Sequence, residues 1–373
     1  MRMWKFHAFR LHGNGTETPV AWDIPLTNAI VVEDLSGPGE LQGTIQPEMM
    51  RLKGSDGEPI FVPWATAVYA EFNGQLRGGF IVEDRSVDGP TLTLTMPGFA
   101  AYLTGLPYTS TYSKIGVDPL DVVRHIWKHV QSEPGGNLGV KVDSTTSPVR
   151  IGTKQKETNF TTSAGEDVSF ESGPYTLMWY DTEDLGKELN DLATETPFDY
   201  RLTHTWSGET PTHRFQIGYP TIGGRKKNLR LVVGENILDQ PQLLDSGEDY
   251  ASEVLLLGAG EGSKMVRGSA QKVTGRLRRV RVITDKSVKS RKRANDMAGA
   301  ELRLALADWD FTEVKVVDHP NARLSQFQVG DEVLVRVPAG WNGALELWVR
   351  ILTIAWNVGE DTAVLTVVRS EKT

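Results

Sequence analysis

Short runs in which apolar and polar residues alternate, each closed by a glycine or proline turn, recur along most of this chain. Leu92, Leu94 and Met96 alternate with threonines, and Trp4 to Leu11 alternates in the same way. A period of two belongs to a half-buried strand, because successive Cβ atoms point to opposite faces of a sheet. The turns agree in their chemistry. Gly37-Pro38-Gly39 and Gly54-Ser55-Asp56-Gly57 supply residues that tolerate positive φ or favour a corner. Asn73-Gly74 predicts a hairpin between Thr66 to Phe72 and Phe80 to Asp84. With Ile30 to Val32 as a further short strand, and Val87-Asp88-Gly89-Pro90 as the turn before Thr91 to Met96, residues 1–99 read as a small barrel or sandwich.

Helical spacing breaks into this pattern in the middle of the chain. Phe99 to Leu106 reads as one apolar helical turn. Asp118-Pro119 places a capping carboxylate before a proline at the first helical position, and Leu120, Val123, Ile126, Trp127 and Val130 follow on one face. That helix ends before Pro134. Residues 137–173 are polar and read as a long surface loop. The stretch from Pro174 to Ile237 is the organising module. It predicts a short strand from Tyr175 to Tyr180, then a helix capped by Asp181 or Thr182, with Glu183 and Asp184 in its first turn. Leu185, Leu189 and Leu192 form its apolar stripe, and Pro197 stops it by forcing Thr196 into extended geometry. Strands Phe198 to Trp206 and His213 to Tyr219 follow, joined by Ser207-Gly208-Glu209. The basic turn Gly223 to Lys227 then leads to a strand from Leu229 to Val233. Together these read as a helix laid on a small antiparallel sheet.

Beyond residue 234 the alternation returns in Ser252 to Leu257, Val266 to Val273 and Arg279 to Ile283. One long helix, Ser287 to Leu306, shows Ala294, Met297, Ala298, Leu302, Ala305 and Leu306 on one face. The last strands are Val314 to Val317, Val333 to Val337, Leu347 to Trp356 and Ala363 to Val368. A chain of 373 residues calls for about two or three domains. The expected class is β-rich α+β, divided as 1–99, 100–233 and 234–373, with the long helix at 287–306.

Composition narrows the function. The absence of cysteine excludes disulfides, thiolate nucleophiles and cysteine-ligated zinc. A net charge of -8 disfavours a tight grip on phosphate backbones but suits a channel that DNA passes without sticking. No apolar run approaches membrane-spanning length. The N-terminus alternates instead of forming the apolar core of a signal peptide, so the glycosylation patterns at Asn14-Gly15-Thr16 and Asn159-Phe160-Thr161 carry no meaning.

The candidate sites each meet a plainer reading. Gly258-Ala259-Gly260-Glu261-Gly262 after a strand imitates a dinucleotide fingerprint, but Ser263 stands where the third glycine belongs and no helix follows, so a hairpin turn is expected. His125 and His129 have the helical spacing of a zinc pair, yet Ile126 replaces the glutamate of the metalloprotease motif, which leaves a packing or surface role. His204 and His213 could face each other across a hairpin, with Asp199 as a third member of a metal or acid-base set, but nothing in the sequence fixes their register, so a structural role is expected. Asp181, Glu183 and Asp184 resemble paired carboxylates for glycosidic cleavage, but the first turn of a helix favours acids in any case. The basic runs Arg225 to Lys227, Arg276 to Arg281 and Lys286 to Arg293 suit subunit contacts or a solvated face better than nucleic acid.

The order aromatic strand, TEDLGKELNDLATETPFDY, RFQIGYPTIGGRKKNL, LVVGENI across residues 175–237 resembles minor tail proteins of siphophages that infect actinobacteria, the tail-hub or baseplate-hub family. GELQGTIQPEM with LTLTMPGFAAYLTGLPY is similar to that family's opening barrel, and QFQVGDEVLVRV with RILTIAWNVGEDTAVLTVV to its closing barrel. The resemblance implies two small β-barrels of the tail-hub type flanking a mixed α+β insert. It implies a homotrimer, a ring that joins tail tube to tip around a DNA channel, in the virion at the tail tip after synthesis in the bacterial cytoplasm. Its partners would be the distal tail or tail tube protein, the tape measure protein and other tip or receptor-binding proteins. DNA would be met only in passage, and no membrane insertion, cofactor, metal or catalytic residue is carried over. The chain stops at Thr373 after its final strand, so no appended enzymatic or fibre-binding domain is expected. The alternatives are a tail-associated cell-wall hydrolase using the acidic residues of the central module, and a host-glycan-binding tail protein using exposed Trp and Tyr.

Overall fold

A computed structural model describes residues 4–370 apart from 155, 162–166, 197, 243–246, 249, 261–264, 286, 287, 289, 307–310 and 341–342. Its largest element is a nine-stranded sheet. Along it lie Arg225–Val232, Glu332–Gly340, Gly343–Asn357, Thr27–Asp34, Glu40–Ile45, Thr91–Pro97 and Asp84–Asp88, while Thr362–Arg369 pairs with both Gly343–Asn357 and Glu313–Val317. Strands from the two ends of the chain are therefore direct neighbours: Trp356 lies opposite Val31 and Ala355 opposite Val32. No closed barrel forms among the described residues, in contrast to the barrel expected at each end. The physical reason is the 15-residue strand Gly343–Asn357. Glu332–Gly340 covers one of its edges only as far as Arg350, and the open backbone groups beyond are satisfied by the N-terminal strand Thr27–Asp34, while the opposite edge pairs with Thr362–Arg369.

A second sheet, ordered Glu17–Ala21, Trp4–Leu11, Thr66–Phe72, Gln75–Ile81, separates two cores. Alternation makes this possible. Phe6, Ala8, Val68 and Ala70 point into a core shared with Val31, Leu41, Leu94, Ile354 and Trp356. Phe9, Ala67 and Tyr69 point the other way, towards Phe99, Leu120, Trp127, Leu189 and Phe215. Both faces of strand Trp4–Leu11 are thus buried.

The second core carries helices α1, Pro119–Ser132, and α2, Leu185–Glu195. In α1 the predicted face is buried as expected, and Asp118 is the cap. Its carboxylate accepts from Leu120 N at 3.0 Å, and also from the Ser147 N–H and hydroxyl at 2.7 and 2.8 Å. Asp118→Ala is expected to cost about 1–2 kcal/mol. Urea unfolding combined with amide exchange at Leu120 and Ser147 would show it, and unchanged protection at both amides would contradict the assignment.

Helix α2 begins later than its sequence suggests. Asp184 caps it, accepting from Gly186 N and Lys187 N. Asp181 and Thr182 are taken up earlier, because their N–H groups close a turn onto the Met178 carbonyl and the Thr182 hydroxyl accepts from Met178 N. Thr196 is extended, as a residue before proline should be. Residues 137–173 are not a plain loop. Val140–Val142 runs parallel to Thr210–Gly218, and Lys156–Thr161 pairs with Asp167–Ser172 in a two-stranded sheet of its own. A hairpin that joins no larger sheet has no need of an apolar alternation, so it leaves no period in the sequence.

The third unit packs α3, Arg291–Ala305, on strands Glu253–Leu257, Arg267–Gln271 and Val280–Thr284. Ser290 caps α3, so the helix starts after the predicted position 287, which lies outside the described residues together with 289. Ala294 and Ala298 bring the helix close to the sheet, and Gly268 is where it touches: a Cβ there would sit 2.3 Å from the Ala294 carbonyl carbon. No helix among the described residues is long and apolar enough to cross a membrane.

Candidate functional site

The chemically richest cluster lies where the second sheet meets the hairpin Asp199–Ser207/Thr210–Gly218. His204 and His213 are in register across that hairpin, which their sequence left open, with their Nδ1 atoms 2.9 Å apart. An N–H···N bond needs one donor and one acceptor. His213 Nε2 lies 2.9 Å from Glu17 Oε1, which can only accept when ionised. The consistent arrangement is His213 donating through Nε2 to Glu17 and receiving at Nδ1 the proton of His204 Nδ1–H. The Tyr69 hydroxyl completes the chain by donating to Glu17, at 2.9 and 2.7 Å from its two oxygens. All four side chains are buried. Burial, and then the proximity of His213, hold His204 neutral far below the usual histidine range. Burial and the Glu17 charge push the Tyr69 phenol well up.

Asp199 is not part of this cluster. It sits at the far end of the hairpin, where it accepts from Ile222 N at 2.7 Å and pairs with Arg350. The acidic partner is Glu17, 196 residues from His213, and no local pattern points to it. Among the described residues no group of three or more His, Asp or Glu is arranged to hold a metal. The cluster is a polar joint between two sheets.

The remaining candidates resolve into structure. His125 Nε2 is 2.8 Å from the Tyr108 hydroxyl, and its ring stacks on Tyr112 with centroids 4.2 Å apart. His129 Nε2 meets the Thr109 hydroxyl at 3.1 Å. The pair fastens the segment from Tyr108 to Tyr112 onto α1. Burial lowers both pKa values, helped at His125 by neighbouring positive charge and opposed at His129 by Glu133. Asp184 is committed to its cap, while Asp181 and Glu183 stay exposed. Gly258 follows strand Glu253–Leu257 and donates to the Val266 carbonyl at 2.7 Å, where the chain returns antiparallel. That is a hairpin, although Glu261 and Gly262 lie outside the described residues. In the basic runs, Arg225 donates to Glu332 at 2.9 Å and stacks 4.4 Å over Trp348, and Lys226 meets Asp331 at 3.3 Å. Arg278 pairs with Glu253 and Arg281 with Glu301. These pairs tie strands and helix together within the chain. Arg225 to Lys227 lie inside strand Arg225–Val232, not in a turn before it.

No protein family matches the chain, and no curated protein does. Solved structures do. The 43 kDa tail protein of prophage MuSo2 from Shewanella oneidensis aligns over 98% of both chains at 15% identity, with a TM-score of 0.56. The prophage tail protein gp18 from Listeria monocytogenes EGD-e aligns over 99% of this chain and 95% of its own, at 12% identity and 0.54. The tail protein from Neisseria meningitidis MC58 gives 99%, 97%, 13% and 0.53. Identities this low establish a shared fold, and the coverage extends that fold from one end of the chain to the other.

Proposed function

We propose that this chain is a structural component of a phage-type tail, a tip hub whose copies form a trimeric ring that joins the tail tube to the tip and encloses a DNA channel. The observation that carries the reading is the end-to-end match: the whole architecture, not one module of it, recurs in three proteins named as tail proteins. In this reading the shared nine-stranded sheet, which also takes in strand Arg225–Val232, builds the ring body, and the rest of residues 100–233 forms the insert carried on it. The excess of 48 acidic over 40 basic residues favours a lumen that repels DNA and lets it slide. The partners are the tail tube or distal tail protein, the tape measure protein and receptor-binding tip proteins. The narrower likeness to siphophages of actinobacteria rests chiefly on the sequence stretches across residues 175–237.

Mass photometry and two-dimensional electron-microscopy classes of the purified protein, alone and with the tail tube protein, test the reading. A trimeric ring with a central hole is expected. A monomer that stays monomeric with the tube protein and never joins tail particles would overturn it.

A further inference from the structure

Two exposed surfaces of this chain have complementary chemistry. The first is the tip of the turn that follows strand Tyr175–Met178. Trp179 and Tyr180 are 65% and 67% exposed and meet edge to face, with centroids 5.4 Å apart. Asp181 and Glu183 beside them are also exposed, and residues 174–186 contain no Lys or Arg. The second surface is the face of the third unit's sheet that turns away from α3. Alternation sorts that sheet cleanly. Val254, Leu256 and Ile283 face the helix, whereas Val280 and Val282 are exposed on the opposite side. The adjoining loop adds Val273 and Leu277, 89% and 87% exposed. Arg267, Lys272 and Arg279 are exposed around this apolar centre, and residues 265–280 hold no Asp or Glu.

We propose that the aromatic, acidic tip of one copy docks on the apolar, basic sheet face of the next, so that copies join head to tail. Protein interfaces have an apolar, aromatic centre and a charged rim, with Trp and Tyr as the usual anchors. Here one surface supplies the anchors and negative charge, and the other supplies the aliphatic floor and positive charge. A phosphate backbone would use the arginines but has nothing for the valines and leucine at the centre. Both surfaces are exposed within one chain, so neither covers the other intramolecularly. Because they are different patches, the contact is heterologous, the kind that closes into a ring when its rotation permits. The inference rests on the ring reading above and assigns its surfaces.

Charge reversal tests it, with assembly measured by mass photometry in the presence of the tube protein. Asp181→Lys with Glu183→Lys, and separately Lys272→Glu with Arg279→Glu, are each expected to weaken ring assembly by roughly a hundredfold, since like charges then face each other across the contact. Combining all four substitutions in one chain is expected to restore it. A second measurement exploits the absence of cysteine. Tyr180→Cys and Val282→Cys in one chain are expected to give a disulfide-linked ladder on oxidation, while a mixture of the two single variants stops at dimers. If both reversed variants assemble like the wild type and the double-cysteine chain does not cross-link, the surface assignment is wrong and the ring stands. Failure of the wild type itself to form rings with the tube protein would instead overturn the ring reading.

Discussion

Trp356→Ala is expected to lower stability by about 3–5 kcal/mol, the usual range for deleting a buried tryptophan. The side chain is 2% exposed and sits where the two ends of the chain join. Its ring packs edge-on against Trp4 with centroids 5.7 Å apart and lies 5.8 Å from Phe72. The Arg77 guanidinium stacks 5.0 Å above it. Its Nε1–H donates to Glu33 at 2.7 Å. The Glu33 side chain is 14% exposed, and burial raises its carboxyl pKa although Arg77 and the Trp356 hydrogen bond pull the other way. Alanine therefore opens a cavity and also takes away one of the few groups that hold a buried carboxylate. Trp356→Phe separates the two effects. It keeps most of the volume but leaves Glu33 short of a donor, an expected cost of about 1–3 kcal/mol. Urea unfolding measures both variants, and amide exchange at Val31 and Val32 reports whether the strand pairing between the chain ends has loosened. An alanine variant within about 1 kcal/mol of the wild type would show that this contact does not hold the sheet together.

That joint also marks the limit of what the sequence discloses. Period two identifies strand Thr91–Pro97, and Leu92, Leu94 and Met96 are indeed fully buried. The Asp118-Pro119 cap is legible too, because a cap is a local device. The pairing of Trp356 with Val31 is not local. It is decided by which backbone edge remains open after the neighbouring hairpins form, and alternation within either strand is silent about that. Glu17 illustrates the same point at the candidate site. A carboxylate at the start of a strand looks solvated in sequence, and only the packing of that strand against the hairpin places it beside His213. Strand Trp4–Leu11 conceals its role in a third way. Phe6 and Ala8 serve one core and Phe9 the other, so the residues that would be solvent-facing in an ordinary half-buried strand are buried as well.

The histidine joint should make the protein acid-labile. In the unfolded chain His204 takes up a proton near pH 6.5. In the folded chain it stays neutral far below that, because burial and the neighbouring His213 oppose a positive charge there. The unfolded state therefore binds the proton first as pH falls. The stability from this group is fully present above about pH 6.5 and is lost progressively down to its folded pKa, by up to about 1.4 kcal/mol per pH unit. The lowered pKa values of His7, His125 and His129 act with the same sign. His204 is tied to His213, Glu17 and Tyr69 in one chain of hydrogen bonds. A proton forced onto His204 Nε2 would leave a charged ring against a second imidazole in a buried site. His204→Gln removes this titration while keeping an N–H that can be offered to His213. At pH 7.5 the variant pays only for repacking. Between pH 7 and 5 its urea midpoint is expected to fall less steeply than that of the wild type, with a difference amounting to about 1–2 kcal/mol at pH 5. Parallel curves for the two proteins, or a wild-type midpoint that stays flat over the range, would place the acid sensitivity elsewhere. Amide exchange should locate the opening: at pH 5 protection is expected to fail first in strands Glu17–Ala21 and Thr210–Gly218, which meet through Glu17 and His213, before it fails in the nine-stranded sheet.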